Sequence, residues 1–84
     1  MLNNIEALMV YNSPDIVDKR EWGFYLGYFA KGTKKTDANN CMIIEMRTIG
    51  NITTKKYAHG ENASFLYTWS ERENYDYEFP KKNI

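Results

Sequence analysis

The stretch Cys41–His59, CMIIEMRTIGNITTKKYAH, limits the possible folds of this chain more than any other. Gly50-Asn51 stands between two runs of β-forming residues. Glycine at the first central position of a two-residue loop suits a type II′ turn, whose twist matches that of paired strands. Such a turn sets the register. Ile49 falls opposite Ile52, Arg47 opposite Thr54, Glu45 opposite Lys56 and Ile43 opposite Ala58. The other side carries Met42, Ile44 and Met46 with Tyr57, Lys55 and Thr53. That side is the more apolar, so it is expected to face the core. The plain reading is a scaffold; the alternative makes Lys55 and Lys56 a small anion-binding edge.

The remaining strands are read outward from this hairpin. Glu21 to Ala30, EWGFYLGYFA, alternates with Trp22, Phe24, Leu26 and Tyr28 on one side and Gly23, Tyr25, Gly27 and Phe29 on the other. Glycine inside a strand marks a bulge, a bend or a close neighbour, and here leaves bare backbone for rings to cover. Lys31 to Asn40 is a loop without hydrophobic period, and carries Lys31, Lys34 and Lys35. Ser13-Pro14-Asp15 resembles a helix start, which predicts one or two turns over Pro14 to Arg20, or else a polar connection. Asn4 to Tyr11 fits a strand, although Ile5, Leu8 and Met9 also fit a helical face.

The last third is aromatic. After a turn at Gly60-Glu61-Asn62, Phe65, Tyr67 and Trp69 alternate, and so do Tyr75, Tyr77 and Phe79. Folding this segment on itself at SEREN predicts a hairpin with six rings on one side. The competing reading makes Ser64 a helix cap, with a helix over 65–73. Pro80 ends the strand because it has no N–H for a ladder.

The expected fold is therefore a single domain, 1–84, mainly β: a small antiparallel curled sheet or half-open barrel of five or six strands with at most one short helix. A chain of 84 residues buries a thin core, offset by an aromatic share of 15%. One cysteine allows no internal disulfide, and MLNNIEALMV has no basic leader or long apolar run. A cytoplasmic protein without membrane contact is expected.

Chemistry is sparse. Formal net charge is zero, against a generic DNA-backbone binder. Cys41 and His59 are the one nucleophile–base pair in sight, but the register points them to different sides of the sheet. One Cys and one His make no zinc spacing, and the glycines form no phosphate loop. No catalytic residue, metal site or cofactor is expected. Glu71, Glu73, Asp76 and Glu78 form an acidic rim beside Tyr75 and Tyr77. Tyrosine beside carboxylates is common in protein-binding patches. A small β-domain rich in Asn, Lys and Tyr also resembles, in composition only, accessory proteins of phages and mobile elements.

The expectation is a non-enzymatic protein-interaction module, an inhibitor or accessory protein that binds and occludes a partner through Glu71, Glu73, Tyr75, Asp76, Tyr77 and Glu78. The alternative is single-stranded nucleic-acid or nucleotide binding, with Tyr25 and Phe29 stacking on bases and Lys34, Lys35, Lys55 and Lys56 on phosphates. A homodimer is compatible with either, because an edge strand invites pairing.

Overall fold

The computed structural model describes residues 13–61 and 64–80. The strand expected over residues 4–11 lies outside them. Five strands, β1 (Ile16–Arg20), β2 (Gly23–Phe29), β3 (Cys41–Ile49), β4 (Ile52–Ala58) and β5 (Tyr77–Glu78), form one antiparallel sheet in the order β1-β2-β3-β4-β5. A 3-10 helix, Trp69–Asn74, precedes β5. Among the described residues the sheet is open, with β1 and β5 at its two edges.

The central hairpin has the register its turn demands: Ile49 opposite Ile52, Arg47 opposite Thr54 and Glu45 opposite Lys56. Gly50 sits at φ 61, while Asn51 stays out of the left-handed region, as a type II′ turn requires. The loop 31–40 is also as expected, and Asn40 organises it from within. Its Nδ2 donates to Thr33 Oγ1 at 2.9 Å and to the Lys34 carbonyl at 2.7 Å.

Three local expectations need correcting. Pro14 to Arg20 is not helical, because Ile16–Arg20 runs beside β2 with Asp18 opposite Tyr25. Asp15 stands in no first helical turn; its carboxylate accepts the Phe29 amide at 2.8 Å and so holds the start of β1 to the end of β2. Trp22 leaves the side of Phe24, Leu26 and Tyr28. Gly23, at φ 147, breaks the alternation, and the Trp22 indole turns edge-on to Tyr25 at 5.0 Å.

The third concerns 65–79, which does not fold into a hairpin. Tyr67 bridges to Cys41 in β3, 69–74 coils into the 3-10 helix, and Tyr77 pairs with Ala58 in β4. An existing sheet edge thus takes the place of a second local strand. Phe65 and Phe79 remain exposed, while Tyr67, Trp69, Tyr75 and Tyr77 gather over the sheet.

That return changes which side of the sheet is inside. Tyr25, Cys41, Ile43 and Ala58 lie on the side expected to be the more polar, and Tyr67 and Trp69 bury them. Cys41 and Ile43 are fully buried. The opposite side carries Leu26, Tyr28, Ile44, Met46 and Tyr57, which are also buried. The sheet therefore has two apolar faces, and period-two alternation alone does not separate a core face from a solvent face here.

Candidate functional site

The acidic segment 71–78 is built on inward-facing anchors. Trp69 packs edge-on to Phe29, and the Arg72 guanidinium lies 4.6 Å from the Trp69 ring centroid. Arg72 then donates to Asp18 Oδ2 at 2.8 Å and to the Trp69 carbonyl at 3.0 Å. The same Asp18 oxygen accepts Arg20 Nη2 at 2.7 Å, and Arg20 Nη1 reaches Glu73 at 2.7 Å. Two arginines and two carboxylates so fasten the 3-10 helix to β1. The Arg20 hydrogen bond foremost, with help from Arg72, holds the Asp18 carboxyl below its ordinary range despite partial burial.

The tyrosines of the segment serve the same bracing. The Tyr77 hydroxyl donates to the Arg72 carbonyl at 2.7 Å. Burial, with negative charge nearby, pushes the ionisation of Tyr77 far above that of a free phenol. Tyr75 oxygen accepts the Thr68 amide at 2.9 Å, and its ring meets Tyr67 and His59 edge-on. Sequence reasoning placed both tyrosines at a binding surface, but they are half-buried beneath it. Glu71, Glu73, Asp76 and Glu78 are exposed. Glu73 is engaged by Arg20, and Glu71 accepts the Asn74 amide at 3.1 Å. Asp76 and Glu78 have outward side chains, while the Asp76 carbonyl accepts the His59 amide at 2.7 Å.

The residues proposed for nucleic acid are not brought together. Tyr25 is only 6% exposed, beneath Trp22 and Tyr77, so no base can stack on it. Phe29 packs on Trp69. Lys34 and Lys35 lie on the 31–40 loop, whereas Lys55 and Lys56 are adjacent in β4 and therefore point to opposite faces. Lys35 does border an open cleft of about 350 Å³ with Ile16, Thr36, Trp69, Ser70 and Arg72. The guanidinium there is already committed to Asp18.

Burial pushes the Cys41 thiol up to about 11, and its Sγ–H faces the Met42 carbonyl. His59 is a turn residue at φ 52, with its ring against Tyr67 and Tyr75. Among the described residues no group of three His, Cys, Asp or Glu is placed to hold a metal ion. No described helix is long and apolar enough to cross a membrane.

The feature that sequence reasoning missed is Asp18. A charge inside a presumed helix reads as solvated, and its value as the joint acceptor for Arg20 and Arg72 emerges only once β1 lies against the 3-10 helix. Comparison of the chain with protein-family models, curated proteins and solved structures found no match.

Proposed function

We propose that the protein is a small non-enzymatic interaction module that holds a protein partner by the acidic segment 71–78, occluding the partner's basic surface. One observation carries this reading: Glu71, Asp76 and Glu78 stand exposed on a segment whose rings, backbone and remaining charges are tied inward. A surface fixed before binding loses little freedom on binding. Oppositely charged patches also speed encounter and set register more than they raise affinity. Tyr75 and Tyr77 act as positioning residues under the carboxylates, not as contacts. An inhibitor or accessory role is the natural use of such a module.

The test is affinity capture from the source cell's lysate, with and without nuclease, using the native chain and the Glu71→Lys, Asp76→Lys, Glu78→Lys triple variant. A partner retained after nuclease treatment and lost by the variant, with the circular dichroism spectrum unchanged, supports the reading. A partner captured equally by both forms, or released by nuclease, overturns it.

A further inference from the structure

Three segments distant in sequence meet around the cleft of about 350 Å³. β1 supplies Ile16, the 31–40 loop supplies Lys35 and Thr36, and the 3-10 helix supplies Trp69, Ser70 and Arg72. A volume of this order takes a small organic molecule. Each wall is held in place by bonds of its own. Trp69 lies on Gly27 and packs edge-on to Phe29. Within the loop, the Asp37 carboxylate accepts the Lys34 amide at 2.9 Å, and Asn40 Nδ2 donates to the Lys34 carbonyl. The two walls are also joined directly. The Asn39 amide donates to the Thr68 hydroxyl at 2.9 Å, immediately before the 3-10 helix. A ligand entering here has little left to order.

The border of the cleft is unbalanced in charge, although the chain as a whole is neutral. It carries the Lys35 ammonium, the Arg72 guanidinium and the hydroxyls of Thr36 and Ser70, and among the described residues no carboxylate. Arg72 gives Nε to Asp18 and Nη1 to the Trp69 carbonyl, two of the five N–H bonds of a guanidinium. Those two bonds hold the fork over the Trp69 ring, and further donors remain on it. Asp18 offsets much of the Arg72 charge, so Lys35 supplies most of the net attraction for an anion. Ile16 and the indole supply the apolar part.

We infer that this cleft binds a small phosphate monoester with an apolar ring. The ring rests against Ile16 and Trp69, and the phosphate takes donors from Lys35, Thr36, Ser70 and Arg72. A phosphate monoester presents three strong acceptor oxygens, enough to reach the loop and the 3-10 helix at once. A carboxylate presents two. Charge-assisted hydrogen bonds from an ammonium and a guanidinium are also the stronger kind. The ring matters as much as the anion, because the apolar body decides which phosphate compound stays. This site goes beyond the acidic-segment reading, and it uses none of Glu71, Asp76 or Glu78.

The probe is phenyl phosphate, with inorganic phosphate and phenol as its two halves, added to the full chain and followed by NMR. Phenyl phosphate is expected to shift the Thr36 and Ser70 amides and the Trp69 indole N–H together. Saturation is expected at a concentration about tenfold or more below that of either half. Lys35→Gln is expected to raise that concentration about fivefold or more, and added salt to raise it further. Lys35 is exposed, so its loss does not threaten the fold. Lys31→Gln, in the same loop but not at the cleft, leaves binding unchanged. Inorganic phosphate binding as well as phenyl phosphate would overturn the inference, because no ring would then be held. Equal weakening by Lys31→Gln and Lys35→Gln, or signals of Thr36, Ser70 and Trp69 that do not move, would overturn it too. So would contacts to the Trp69 indole, before any ligand is added, from residues outside 13–61 and 64–80, because the chain would then fill its own cleft.

Discussion

The indole of Trp69 rests on the bare backbone of Gly27. A Cβ built there would meet Trp69 Cε3 at 2.6 Å and Ile16 Cγ2 at 2.7 Å, both nearer than real side chains allow. Gly27→Ala therefore forces the ring off the sheet and loosens the anchor of the 3-10 helix. A loss of roughly 1–3 kcal/mol is expected, as for other overpacked cores. Urea titration read by tryptophan fluorescence checks it; an unchanged midpoint would refute the close packing.

The Asp18 cluster predicts an acid limb. Its folded carboxyl is held below the ordinary value of 3.8, chiefly by Arg20. Stability from this group is thus fully present above the unfolded value and lost as pH falls through the lower, folded value. Asp18→Asn is expected to flatten the pH dependence of stability below about pH 4. Thermal melts between neutral and acidic pH decide it. Parallel curves for variant and native protein would show that Asp18 is not the group responsible.

Cys41 is expected to be chemically silent in the folded protein. Its thiol is fully buried and raised to about 11, so little thiolate exists near neutrality. Ellman's reagent at pH 8 is expected to label it only after denaturant is added. Rapid labelling of the native chain would place the thiol at the surface and break the Cys41–Tyr67 bridge described above.

The hairpin register makes a residue-by-residue prediction for hydrogen exchange. Thr48, opposite Thr53, donates its amide to Trp22 beside β2, so Thr54 and Lys56 direct their amides into β3, whereas Thr53 and Lys55 direct theirs outward. Thr54 and Lys56 are expected to exchange more slowly than Thr53 and Lys55, alternating along one strand. Uniform protection over Ile52–Lys56 would mean that the outward groups are paired as well.

The exposed pair Ile49 and Ile52 should contribute little to stability. Both side chains lie mostly in solvent at the hairpin tip. Replacing them with threonine is expected to shift stability by about 0.5 kcal/mol or less. A larger loss in chemical denaturation would show that the tip is covered in solution.

The register of the hairpin was legible in the sequence, because its turn depends on two residues and the pairings follow from it, but which of its faces is covered was not. β2 was legible too, because its glycines alternate with rings. Trp22 was not, since one residue at φ 147 reverses its side and no neighbour signals this. β1 was misread because Ser13-Pro14-Asp15 has the composition of a helix start, while the deciding contact, Asp15 to the Phe29 amide, spans the first hairpin. The aromatic segment alternates as a hairpin does, yet Tyr67 and Tyr77 find β3 and β4 instead of each other. Tertiary pairing of this kind overrides local alternation. At the candidate surface, the carboxylates were readable as exposed. The inward role of Tyr75 and Tyr77 was not, because it depends on Thr68 and Arg72, which local pattern does not connect to them.

From β1 through β4, each strand's ladder neighbour is also its neighbour along the chain. Such a meander can zip up progressively from one strand to the next, with tight turns joining β1 to β2 and β3 to β4 and the longer 31–40 loop between the two pairs. Among the described residues, only 64–80 must travel back, to set Tyr67 against Cys41 and Trp69 against Gly27. That stretch is expected to arrive last in folding and to peel away first under load, carrying the acidic surface with it while the four long strands persist.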